Sequence, residues 1–189
     1  MDTCFLDIVT EFLVITFHNI LYYCSVYPKS IFESRRKYNI VVYRSIHPVV
    51  NKYIDDCVKG AVTCLKTNLL NRLEFAVTDS HFNTLRKFVF QFDRNDYFDE
   101  TLDAYLVQCE QNLRAFCLKL ASMSSDFDDL PDDCSFSIYL HTNESTAVGM
   151  SVEADLEEFP LIEVEGKRNE PDSILVMSDI LVFSIVLIK

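Results

Sequence analysis

Between Thr3 and Val26 the strongly polar positions are Asp7, Glu11 and His18, spaced near i, i+4 and i+11, and nearly everything else is apolar. A helix with so narrow a polar stripe cannot lie on a surface; it has to be covered on most of its circumference. The segment therefore predicts a central helix around which the other elements are layered. Pro28 stands just past its end, a common helix stop.

The next hundred residues supply the layers. Asn39–Ile46 (NIVVYRSI) is rich in β-branched residues and reads as a strand or hairpin arm, with Arg35-Arg36-Lys37 in a basic turn before it. Pro48 pre-sets the first turn of a second helix, whose apolar stripe is Val50, Tyr53, Ile54, Cys57, Val58, Ala61, Val62 and Leu65, with Asn68 at its end. Leu73, Phe75 and Val77 alternate with Arg72, Glu74 and Thr78, predicting a strand with one wet face. Phe88, Phe90 and Phe92 continue the pattern after a polar turn, which completes a hairpin. A third helix is expected from about Asp99 to Met123, and Phe136, Ile138 and Leu140 mark another strand. The first 140 residues thus predict an α+β fold with three helices on a small antiparallel sheet. Residues 141–189 differ: a long, acidic, weakly periodic stretch ends in the apolar run Ile180–Ile188, read as one strand that must pair with the sheet. That run is about half the length a membrane span needs. A structureless excursion of this length inside one domain points to a functional segment.

Charge and cysteines narrow the function. The formal net charge is −12, yet residues 1–123 are balanced, and residues 124–189 hold 15 acids against 3 bases. Phosphate neutralisation dominates nucleic-acid affinity, so a chain without a basic stripe is disfavoured as a direct DNA binder. Seven cysteines, an odd number with no CxxC pair, read as reduced buried thiols rather than a disulfide framework. The acidic run Asp126–Asp133 lacks the glycine and terminal glutamate of an EF-hand loop, and no Cys/His spacing suits zinc, so neither metal nor cofactor is expected. An enzyme built on the acidic tail would need carboxylates converging in a pocket, whereas here they are spread along the chain.

Several segments carry a more specific signal: ILYYCSVYP (Ile20–Pro28), RRKYN (Arg35–Asn39), HPVVNKYI (His47–Ile54), LRAFCLKL (Leu113–Leu120), CSFSIYLHT (Cys134–Thr142) and EEFPLI (Glu157–Ile162). Together they resemble the HORMA-domain family, and within it the accessory subunits of translesion DNA polymerase zeta. The resemblance covers about Phe5 to Ile162 and thins beyond, although Met177–Leu181 is similar to the start of the family's last strand. It implies one non-catalytic HORMA domain over residues 1–189, with a core at 1–140 and a seat-belt region at 141–189 that closes over a partner's extended peptide. The implied partners are the catalytic subunit of polymerase zeta, the translesion scaffold polymerase and a second HORMA protein, met in the nucleus. Spindle-checkpoint or meiotic-axis relatives use the same clamp on other peptides and are the alternative. By position, Tyr53, Pro160 and Leu161 correspond to peptide contacts. Leu161 replaces the family's tryptophan, which removes a large flat surface that packs on proline. Arg114 and Lys119 fall on the third-helix segment through which family members pair, and Ser184 and Val186 fall where the scaffold polymerase docks.

Overall fold

The computed structural model describes residues 3–92, 103–127, 130–142, 174–180 and 183–188. Helix α1 (Thr3–Tyr23) runs through the middle, as its composition demands, against α2 (Pro48–Lys66), α3 (Asp103–Ser122) and the sheets. A two-stranded ribbon pairs β1 (Phe32–Lys37) with β2 (Ile40–Ser45). The larger antiparallel sheet is built from β3 (Leu70–Thr78), β4 (Thr84–Phe92), β5 (Ser135–Thr142), β6 (Ile174–Ile180) and β7 (Phe183–Ile188), in the order β5-β3-β4-β7-β6.

Aromatic contacts fix how these layers meet. Phe17 of α1 sits against Phe75 of β3 and edge-on to Phe90 of β4, with ring centroids 5.1 and 5.7 Å apart. Phe12 meets Phe116 of α3 edge to face at 5.4 Å. All of these rings are fully buried, and each contributes about 1.5–3 kcal/mol of transfer free energy relative to exposure.

Two helix ends share one device. Val26 N–H donates to Leu21 O and Ser25 N–H to Tyr22 O, while Ser25 takes the left-handed φ of 52°. Leu69 N–H to Cys64 O and Asn68 N–H to Leu65 O repeat the pattern, with Asn68 at φ 56°. These paired bonds close the last carbonyls of α1 and α2 and reverse the chain. Asn68 was legible as a cap; Ser25 was not, since serine has no marked preference for that conformation.

Four expectations need correction. His18 is not on a wet stripe: it is fully buried, with Thr16 and Asn19 beside it. Its Nδ1 accepts a hydrogen bond from Ser45 N–H at 3.4 Å, and Asn19 Oδ1 accepts from Tyr43 N–H at 3.1 Å. The central helix thus spends two polar side chains on the second edge of β2, which would otherwise leave buried N–H groups unpaired. Arg35-Arg36-Lys37 lies on β1, not in a turn; the turn is Tyr38-Asn39, both at positive φ (50° and 58°), as a tight hairpin requires. The predicted wet face of β3 is buried at Glu74, Ala76 and Thr78. Finally, the apolar C-terminal run is not one strand: β6 reverses into β7, with Ile180 paired to Phe183, and β7 joins the sheet along β4. A run that is apolar on both sides of the reversal carries no period that would mark it. Helix α3 begins at Asp103 among the described residues, and the expected start at Asp99 lies outside them.

No helix among the described residues is long and apolar enough to cross a membrane. The cysteines Cys24, Cys57, Cys64 and Cys117 are buried and not joined in disulfides among the described residues.

Burial, reinforced by Arg44 and Arg35, holds the His18 imidazole at about 4, below its ordinary 6.5. The unfolded chain therefore binds the extra proton between those values, so stability present at neutral pH is lost as pH falls from about 6.5 towards 4. The shift corresponds to roughly 3 kcal/mol. Urea unfolding across that window should show the loss, and His18→Gln should flatten it while lowering stability at pH 7. A second expectation concerns the β3–β4 turn. Phe82 stands 81% exposed with φ 64°. Replacing it by glycine should raise the unfolding free energy by about 1 kcal/mol, because the left-handed conformation strains a side-chain-bearing residue.

Candidate strand-addition edge

β5 is the terminal strand of the large sheet, paired along one side with β3, and no strand pairs its other side among the described residues. Its inward residues anchor it. Phe136 stacks on Phe75 at 5.2 Å and 10°, and Leu140 lies 3.7 Å from where a Cβ on Gly60 would sit, so α2 packs closely along the strand.

Tyr53 stands where α2 passes this edge. It is half-buried, its ring meets Phe136 edge to face at 5.4 Å, and Tyr27 meets the same phenyl at 6.2 Å. Burial, reinforced by Cys57, pushes the Tyr53 hydroxyl well above its usual range, while the main-chain N–H of Ile138 opposes the shift. The Cys57 thiol is raised to about 12, mainly by burial. Both groups are protonated at neutral pH, so this corner offers a neutral aromatic wall and strand backbone, not a nucleophile.

The other face of the strand is held by charge. Glu74, buried in β3, lies 3.0 Å from Arg72, 3.1 Å from Lys87 of β4 and 3.2 Å from His141 of β5. Burial alone would raise its carboxyl, but hydrogen bonds and charge from His141 and then Lys87 override this and hold it at about 2. A single carboxylate thus ties three strands together, including the end of the edge strand. Alternation placed Glu74 opposite the core; it could not show that this face is covered or that His141 would arrive beside it from a distant segment.

The remaining candidates separate. Arg114 is exposed on α3, in an exposed stripe with Val107 (54%) and Leu118 (48%), opposite the buried Leu113, Phe116 and Leu120. Lys119 is half-buried in the last turn of the same helix. Ser184 and Val186 lie on β7, paired with Gln91 and Val89 of β4, so they belong to the opposite half of the sheet from β5. Pro160 and Leu161 lie outside the described residues.

A central helix, flanking helices and a sheet with a C-terminal hairpin at one side and a terminal strand at the other make up the architecture, and the HORMA domain family matches residues 6–159. The chain belongs to the HORMA family. It is 34% identical over 156 residues to the human "Mitotic spindle assembly checkpoint protein MAD2B", covering 82% of this chain and 74% of that protein. It is 29% identical over 165 residues to the "DNA polymerase zeta subunit 2" of Drosophila melanogaster, covering 87% and 83%. Among solved structures, a chain of the "Mitotic Checkpoint Complex" superposes with a TM-score of 0.80 at 14% identity, over 98% of this chain and 97% of that one. C. elegans HTP-2 bound to a HIM-3 closure motif superposes at 0.73 and 10% identity, over 97% and 89%. At those identities the superpositions speak for the fold.

Removing the buried anion isolates its role. Glu74→Gln should lower the unfolding free energy by about 1–3 kcal/mol, read by urea titration at pH 7, because Lys87 and His141 lose their shared partner. Since the Glu74 carboxyl is depressed from 4.5 to about 2, its contribution is present above pH 4.5 and lost as pH falls towards 2. The variant should lack that acid-side loss.

Proposed function

We propose that this protein is a non-catalytic adaptor that captures an extended, proline-containing segment of the catalytic subunit of DNA polymerase zeta along β5, in translesion synthesis in the nucleus. The observation that carries the reading is the unpaired side of β5 with Tyr53 and Phe136 beside it. An edge strand supplies main-chain hydrogen bonds for affinity, and neighbouring pockets select side chains. Tyr53 is the peptide-contacting aromatic, and residues 141–189, with Pro160 and Leu161, form the belt over the captured segment. Release then requires the belt to open, so affinity resides mainly in a slow off-rate. Two relatives' names support the assignment: the Drosophila protein is a polymerase zeta subunit, and the Schizosaccharomyces pombe relative is a "DNA polymerase zeta processivity subunit".

The exposed stripe Val107–Arg114–Leu118 fits the second part of the reading, pairing with another HORMA protein through α3, with Lys119 at its margin. Ser184 and Val186 on β7 are assigned to the scaffold polymerase, away from the peptide edge. A checkpoint adaptor is the second reading, favoured by the name of the MAD2B relatives and by neighbours holding closure motifs.

Titration calorimetry with proline-containing segments of the polymerase catalytic subunit, beside checkpoint closure motifs, distinguishes the two. Only the former should bind tightly, with strong hydrogen-exchange protection of residues 141–189. Tyr53→Ala should weaken binding about tenfold or more, a loss of some 1.4 kcal/mol. Binding of checkpoint motifs alone would overturn the polymerase assignment, and unchanged exchange in residues 141–189 would overturn the belt.

A further inference from the structure

The ribbon presents a further strand edge with no strand paired to it among the described residues, and the proposed function leaves it unused. Tyr43 and Ser45 direct their N–H groups away from β1, to Asn19 and His18 of α1. In an antiparallel pair, directly opposed residues point their main-chain groups the same way relative to the ladder, both inward or both outward. Ser34 and Phe32, which face Tyr43 and Ser45 in register, therefore turn their N–H and C=O groups outward, and so does Arg36, two residues on. No strand pairs this side of β1 among the described residues, and Ser34 to Lys37 are exposed.

Charge distinguishes this edge from the rest of the chain. Residues 29–37 hold four bases and one acid, in a chain whose net charge is −12. Glu33 pairs with Arg35 and Glu11 with Lys37, whereas Arg36 forms no ion pair among the described residues. The ribbon is also held in place: two α1 side chains grip β2 from its far side, so an incoming strand meets a template already ordered. Basic side chains on an edge repel indiscriminate pairing. The same side chains admit one class of strand, that whose alternate positions are acidic, and discriminate against the rest.

We propose that β1 is a second strand-addition site, which takes an extended acidic segment of a partner protein. Pairing runs through the main chain of Ser34 and Arg36, and carboxylates at alternate positions of the guest fall on the face that carries the Arg36 side chain. The site is independent of β5, so one molecule can hold two segments at once.

The test uses the full chain and a fluorescein-labelled alternating Glu–Val peptide of about eight residues, long enough to span the strand. Fluorescence anisotropy should report saturable binding that weakens with added salt. Arg36→Glu should weaken it about tenfold or more. Ser34→Pro should weaken it comparably with every charge in place, since proline removes an outward N–H. Far-UV circular dichroism and the thermal midpoint establish that both variants remain folded. Tyr53→Ala should leave binding unchanged, which separates this edge from β5. Absence of binding would overturn the proposal, and so would a Ser34→Pro variant that binds like the parent. Displacement by a single-stranded oligonucleotide as effectively as by unlabelled peptide would also overturn it, by showing attraction to charge without strand pairing.

Discussion

The structure depends on the burial of α1. A helix with apolar side chains around most of its surface has no stable place except between other elements, and Phe12 and Phe17 show where those elements meet it. Its few polar residues are then constrained more severely than its apolar ones. His18 and Asn19 are buried, so each needs a partner, and the ribbon's second edge supplies N–H groups that need acceptors. Pairing those N–H groups with His18 Nδ1 and Asn19 Oδ1 serves both, although His18 Nε2 has no hydrogen-bond partner among the described residues. Core packing and ribbon position are therefore a single constraint, and the His18 ring must remain neutral for it to hold.

From that fixed body the sheet extends to two chemically different sides. On one, β7 pairs with β4 and β6 completes the hairpin, so the apolar C-terminal run is absorbed by backbone pairing. On the other, β5 is pinned by Phe136 inside and by the Glu74 carboxylate outside, with its remaining main-chain side left to the space beside α2. A rigid edge lowers the ordering cost of adding a strand, in keeping with the proposed peptide capture. At this corner Tyr53 and Cys57 are both driven towards their protonated forms.

Much of the fold is legible along the chain. The buried helix, the proline-started α2, the β3–β4 hairpin and the strand at β5 come from apolar spacing, proline geometry and alternation. The family resemblance also pointed to Tyr53, which the structure sets beside the edge strand. The site as a whole was not legible. The Glu74–His141 contact joins residues far apart in the chain, and the apolar run at the C-terminus hid a reversal because no glycine, proline or other turn signal marked it.

Sequence alone determined which surfaces had to be buried, where two of the helices stop and where negative charge accumulates, because these are properties of local composition and short-range sterics. Only the tertiary structure decided which strand stands at an edge, which carboxylate becomes a shared anchor and which helix polar groups serve a distant backbone. Those outcomes depend on strand order and on hydrogen bonds between remote segments, and no window along the chain contains both partners.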